Sequence, residues 1–142
     1  MLVVSAAVVE REDRVMLCQR LPDAHNPLKW EFPGGKLEKG ETPEAALERE
    51  LREELGVTAE IGRILDAIPV TGGSRDDLLL LFYEARIASG EPRPIEEAQV
   101  RYFAPEELSS LDLAETDRRF IRRFIVRAGD GSSFIAARCA DT

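Results

Sequence analysis

Two cysteines, one histidine and one tryptophan among 142 residues leave little material for several common chemistries. Cys18 and Cys139 stand far apart in no ligand-like spacing, so neither a disulfide framework nor a zinc site is indicated. Both are expected to act as buried apolar filler in a reducing, cytoplasmic setting. His25 lies in a loop between Pro22 and Pro27, which favours a surface residue over an acid, base or ligand. Long apolar runs are also missing. The opening Leu2 to Val9 falls far short of the about 20 residues of a membrane helix, and no basic stretch precedes it, so it reads as a strand and not a leader. Positive charge is scarce: Lys plus Arg number 19 against 27 Asp plus Glu, a formal net charge of −8. That balance excludes a general nucleic-acid coat, whose affinity rests on cations that displace counterions from phosphates. An anionic substrate would need bound metal ions or a local basic patch.

What is present suits one globular domain, with 44% hydrophobic and 32% charged residues. Leu2 to Val9 and Arg14 to Arg20 read as strands around the turn Glu10-Arg11-Glu12-Asp13, and Leu21 to Lys29 as loop. Trp30-Glu31-Phe32 is a short extended piece stopped by Pro33-Gly34-Gly35. Thr42-Pro43-Glu44 supplies an N-cap, a proline at the first helical position and an acid in the first turn. Gly56 marks the end of that helix. Val57 to Ile68, Leu78 to Ile87 and Val100 to Phe103 are expected strands, with Pro69 to Asp76 a mobile connection around Gly72-Gly73. Pro105 to Leu108 is a helical turn, and Thr116 caps a final helix over Asp117 to Arg127. Arg118, Arg119, Arg122, Arg123 and Arg127 give that helix a basic side, read as a solvated face favoured by the C-terminal dipole.

The helix after Thr42 carries the chemistry. At about 100° per residue and measured from Leu47, Leu51 and Leu55 fall near 40° and 80°, while Glu53, Glu50 and Glu54 fall near 240°, 300° and 340°. An aliphatic stripe for packing is thus separated from an arc of three carboxylates. Like charges about 4 Å apart repel by about 4 kcal/mol at an effective dielectric near 20, so a cation belongs there. Hard divalent ions such as Mg²⁺ prefer oxygen ligands and leave positions open for substrate phosphates. The plain alternative is a solvated acidic face stapled by Glu48–Arg52 and Arg49–Glu53, each pair worth about 0.2–0.5 kcal/mol.

The surrounding letters decide between these. Gly35, Glu41, Arg49, Glu50, Glu53, Glu54 and Gly56 stand at the spacing Gly-x5-Glu-x7-Arg-Glu-aliphatic-x-Glu-Glu-x-Gly-aliphatic, which resembles the Nudix box at every specified position. Seven fixed letters at about 7% usage give a chance match on the order of 10⁻⁸ per start. Gln19-Arg20, Asp23-Ala24-His25 and Trp30-Glu31-Phe32-Pro33-Gly34-Gly35 are similar to the MutT branch, and the likeness runs from about Val3 to about Phe124. It implies an α+β fold, an α/β/α sandwich around a mixed β-sheet, over residues 1–128, with 129–142 an extension and not a second domain. It also implies Mg²⁺-dependent (or Mn²⁺-dependent) hydrolysis of a nucleoside triphosphate to a monophosphate and pyrophosphate.

The same resemblance assigns roles. Glu50, Glu53, Glu54 and the Gly35 carbonyl would bind metal, with Glu50 also placed to accept the proton of the attacking water. Arg49 would orient the cluster and Glu41 would be its outer carboxylate. A further ligand is expected from Glu96, with Glu97 the runner-up. Arg20 and Lys36 would contact phosphates. Trp30 and Phe32 either pack in the core or stack on a base. Asp117 falls at the base-reading position, where 8-oxo-dGTP-selective relatives are expected to carry Asn; it equally suits a charge at the start of the last helix. An ionised Asp only accepts hydrogen bonds, which would suit cytosine, so oxidised guanine and cytosine nucleotides both stand as substrates. A dinucleoside polyphosphate, nucleotide sugar or capped RNA is the alternative within the family, and a nucleotide-sensing domain without activity the alternative outside enzymes. The expected partners are a nucleotide, with no stable nucleic-acid complex and no membrane, in a monomer or homodimer.

Overall fold

The computed structural model describes residues 1–71 and 77–128, with side chains through residue 123. Cys139, the 129–142 extension and most of the expected Pro69 to Asp76 connection lie outside the described residues.

The chain runs β1 (Leu2–Arg11), β2 (Arg14–Gln19), β3 (Trp30–Glu31), β4 (Gly34–Lys36), α1 (Pro43–Leu55), β5 (Thr58–Val70), β6 (Leu78–Ser89), β7 (Gln99–Phe103), α2 (Pro105–Leu108) and α3 (Glu115–Ala128). β1 lies parallel to β6 and antiparallel to β4, while β5 pairs antiparallel with β6. β2 lies between β3 and β7, antiparallel to both, and joins β1 at the hairpin. The sheet is therefore mixed. The alternation of side chains along β1 and β2 shows how it is covered. Ala6, Val8, Val15 and Leu17 pack with Leu108, Phe120 and Ile121 of α2 and α3, whereas Ala7, Val9, Met16 and Cys18 pack with Leu47, Leu51 and Leu55 of α1. A sheet buried on both faces between helices is the expected sandwich, and it explains why these strands read as continuous apolar runs.

Several boundaries differ from the sequence reading. β1 continues to Arg11, and the turn is Glu12-Asp13 alone, both with positive φ as a two-residue hairpin demands. Gly34-Gly35, expected as a stop, forms β4 instead. A Cβ at Gly34 would strike the carbonyl of Ser5 across the strand pair, so glycine permits the close approach. β5 extends to Val70, taking Pro69 into the strand. α3 begins at Glu115, so Thr116 stands within its first turn and is not the cap. Cys18 is fully buried, as expected. Among the described residues no helix is long and apolar enough to cross a membrane.

Candidate active site

α1 starts as its sequence predicts. The Thr42 hydroxyl accepts from the Ala45 amide at 3.1 Å, Pro43 opens the helix, and Gly56 closes it at φ 71°. With Leu47, Leu51 and Leu55 buried against the sheet, the adjoining arc sets the Glu50 carboxylate against Gly35 of β4, and the Glu54 carbonyl meets the loop before β7.

Arg49 organises this arc. Its Nε and Nη2 donate to both oxygens of Glu41 at 2.8 and 3.0 Å, a two-pronged geometry that a lysine could not supply. Nη1 donates to Glu50 at 3.0 Å and to Glu53 at 3.2 Å, and Nη2 also reaches the Lys36 carbonyl at 3.1 Å. Hydrogen bonding to Glu41 is the main reason the Arg49 pKa rises, and the same bond holds the Glu41 carboxyl below its usual value. Glu41 in turn accepts from the Glu38 amide at 2.8 Å, fixing the loop that leads from β4 into the helix. Gly35 stands directly against the Glu50 carboxylate, which occupies the space a Cβ would take, so a larger residue there would displace the Glu50 carboxylate.

Glu54 points to the other side of the arc. Its Oε2 is buried without a hydrogen-bond partner, and its pKa is pushed up to about 10, by burial first and then by Glu97 and Glu50. Burial and the charge of Glu31 likewise raise Glu97 to about 7. Among the described residues no three acidic groups converge tightly enough to hold a metal as the side chains lie, because the Arg49 guanidinium draws Glu50 and Glu53 to itself. The oxygen-only donor set, the orphaned Glu54 oxygen and the Glu50 carboxylate set against Gly35 nevertheless fit a hard divalent cation.

The structure separates the two candidates for the outer ligand. Glu96 is exposed, whereas Glu97 is half-buried and interacts electrostatically with Glu54 and Glu50, so the runner-up is the residue brought to the cluster. The loop is clamped to α1: the Ile95 and Glu96 amides donate to the Glu54 carbonyl at 3.0 and 3.4 Å, and the Arg93 amide to the Leu55 carbonyl at 3.0 Å. These bonds satisfy carbonyls that a helix C-terminus leaves open.

Arg20 donates through Nη1 to Glu31 at 2.9 Å and through Nε to the His25 carbonyl at 2.6 Å. Lys36 and His25 are exposed. Trp30 and Phe32 are buried core residues: Trp30 packs edge-on to Phe103, and Phe32 edge-on to Phe82 and Phe120. Asp117 is buried on the α3 side, with Oδ1 accepting from the Phe32 amide at 3.1 Å. Burial, aided by Glu31, raises its pKa to about 8, so at neutral pH it is mostly a neutral acid that can donate as well as accept. The sequence reading took the ionised, accept-only form, and burial shifts Asp117 toward the neutral one. Glu31, which the sequence reading passed over, faces the site from β3; its alternation with Trp30 and Phe32 was the available signal.

A family model described as the NUDIX domain matches residues 1–124. A Mycobacterium tuberculosis relative with a provisional 8-oxo-dGTP diphosphatase name is 32% identical over 141 residues, spanning 96% of this chain and 97% of its own. The Escherichia coli 8-oxo-dGTP diphosphatase is 36% identical over 90 residues, 63% of this chain and 69% of its own, and the E. coli CTP pyrophosphohydrolase 47% over 62 residues, 44% and 46%. The solution structure of the E. coli ORF135 protein superimposes with a TM-score of 0.75 at 30% identity, covering 99% of this chain and 92% of that one. Such enzymes hydrolyse phosphoric anhydrides of nucleotides and generally use a divalent metal. With the domain matched over nearly the whole described chain and its carboxylate helix intact, this protein belongs to the Nudix hydrolase family.

Proposed function

We propose that the chain is a Mg²⁺-dependent nucleoside triphosphate pyrophosphohydrolase that releases a nucleoside monophosphate and pyrophosphate, and so clears modified or surplus nucleotides from the pool. The observation that carries this reading is the buried, unpartnered Glu54 oxygen in a cluster with Glu50 and Glu97, an acidic site whose repulsion a bound divalent cation offsets while leaving positions open for phosphate oxygens. The Gly35 carbonyl and Glu50, Glu53, Glu54 and Glu97 would hold the ion. When bound, Mg²⁺ (or Mn²⁺) supplies charge neutralisation on the polyphosphate and lowers the pKa of a coordinated water.

This chain's residues do the rest. Arg49 keeps Glu50 against Gly35, where the Glu50 carboxylate accepts the proton of the attacking water. Glu41 holds Arg49 in place from behind. Arg20 and Lys36 contribute the cations that let phosphates approach a molecule of net charge −8. Asp117 and the Phe32 amide mark the base end, and Trp30 and Phe32 shape it from within the core rather than by stacking on the substrate. A neutral Asp117 offers a donor and an acceptor as an Asn amide does, which supports 8-oxo-dGTP; the similarity to the CTP pyrophosphohydrolase supports CTP and dCTP.

The test is pyrophosphate release from 8-oxo-dGTP, dGTP, CTP and dCTP, with kcat/KM measured for the native protein and Asp117→Asn. Pyrophosphate from at least one of them, with a shift in the ratios on substitution, is expected. Release of orthophosphate alone, or no turnover of any triphosphate, contradicts the proposal. Unchanged ratios would remove Asp117 from base reading.

A further inference from the structure

Glu31 faces the active site yet has no part in the roles assigned above. Trp30 and Phe32 on either side of it enter the α3-side core, so its side chain leaves β3 on the α1 side, in register with Cys18. There it interacts with Glu54 and Glu97, while Arg20 holds it at 2.9 Å. Its backbone neighbour Phe32 is the residue whose amide Asp117 engages. Glu31 thus leaves the sheet on the same face as the α1 carboxylates of the phosphate end, and its chain neighbour Phe32 carries the amide of the base end.

The Arg20–Glu31 pair conflicts with Arg20 serving phosphates. A triphosphate that draws the guanidinium away leaves a half-buried carboxylate without its cation, which is costly unless another donor replaces it. Burial already raises the Glu31 pKa with Arg20 in place. The polyphosphate chain has no donors to offer at neutral pH, and the base donors belong at Asp117. Between base and phosphates of any nucleotide stands the sugar, whose hydroxyls donate.

We infer that Glu31 is a specificity-determining residue for the sugar, its carboxylate accepting a hydrogen bond from a ribose or deoxyribose hydroxyl as Arg20 turns to the phosphates. The inference rests on the proposed reading of Asp117 as the base end. It makes the ion pair an exchange: Arg20 passes from Glu31 to phosphate, and Glu31 passes from Arg20 to the sugar.

The experiment compares ribo-, 2′-deoxy-, 3′-deoxy- and 2′,3′-dideoxynucleoside triphosphates of one base, in the native protein and in Glu31→Met, which keeps the side-chain length and removes the acceptor. Loss of the recognised hydroxyl is expected to lower native kcat/KM by roughly 10- to 100-fold, chiefly through KM, as befits a hydrogen bond to a charged group. In Glu31→Met the four sugars should fall within about threefold, and Glu31→Gln, which retains an oxygen acceptor, should restore part of the discrimination. Equal native rates on all four sugars would overturn the inference without any variant, and so would equal discrimination by the native protein and a folded Glu31→Met. Calorimetric binding of the hydroxyl-bearing and dideoxy monophosphates separates this from the proposed activity. If no triphosphate is hydrolysed, the activity fails while a sugar-dependent affinity lost in Glu31→Met still supports Glu31. Binding that ignores the sugar, or no binding at all, overturns it.

Discussion

Glu53 and Glu54 are neighbours on one helix, yet their surroundings give them different characters. The Glu53 side chain is half exposed and held by Arg49, whereas Glu54 is buried against other acids. Replacing Glu54 with Gln removes a proposed metal ligand together with a strained buried carboxyl. Turnover in saturating Mg²⁺ should fall by several orders of magnitude, while the metal-free protein melts at the same or a slightly higher temperature. Steady-state rates and thermal melts check both halves, and near-normal turnover would remove Glu54 from the metal site. Glu53→Gln should lower turnover as strongly but leave the melt nearly unchanged, because that carboxylate is already half in water. The sequence located both residues, since a fixed motif on an amphipathic helix specifies where each side chain lies. It did not reveal that the Arg49 guanidinium would draw Glu50 and Glu53 to itself, because rotamer choice within a charge cluster depends on all its members at once.

At the scale of elements, the loop of residues 91–98 and the end of α1 act together. Gly56 adopts a left-handed turn, and a Cβ there would stand 3.0 Å from Arg93 Nη2 and 3.1 Å from Ile95 Cδ1. Gly56→Ala therefore carries the left-handed penalty of about 1–2 kcal/mol and also presses on the Arg93 and Ile95 side chains of the loop that carries Glu97. The expected result is a destabilisation of that size in denaturant, together with weaker Mn²⁺ binding in a direct titration. Unchanged Mn²⁺ affinity would show that Glu97 is not positioned by this clamp. Helices and long strands were largely legible in the sequence, α1 through Thr42, Pro43 and Gly56, and β6 through its run of leucines. β4 was not, because Gly34-Gly35 carries the composition of a turn and becomes a strand only by lying close against Ser5. The choice of Glu97 over Glu96 was equally hidden: which of two adjacent acids faces inward depends on the backbone bonds from Ile95 and Glu96 to the Glu54 carbonyl.

For the molecule as a whole, the Glu54 and Asp117 carboxyls and the half-buried Glu97 make stability depend on pH. Glu97, Asp117 and Glu54 have native pKa values raised to about 7, 8 and 10, against about 4 in an unfolded chain. Between those limits the native state holds more protons than the unfolded state, so stability must fall as pH rises. The contribution is fully present near pH 4 and is lost as pH passes through 7, 8 and 10. Metal-free protein is therefore expected to melt at progressively lower temperature from about pH 6 to pH 9, with Mg²⁺ restoring most at the alkaline end, where the ligands are ionised. Scanning calorimetry across that range checks the sign, and a flat or rising profile without metal would contradict it. Glu54→Gln should flatten the alkaline part.

Asp117 bonded to the Phe32 amide joins α3 to the strand that carries Glu31, while the glutamates proposed to hold the metal belong to α1 on the opposite face of the sheet. Among the described residues the buried side chains of the two helical layers fall into separate core clusters. Mutations that reshape the α3 layer are therefore expected to leave the α1 layer, with its proposed metal ligands, undisturbed, and the reverse also holds. A lineage built this way can change its diet while keeping its teeth, which makes α3 and its approach from Leu113 the natural region to randomise when a new nucleotide preference is sought.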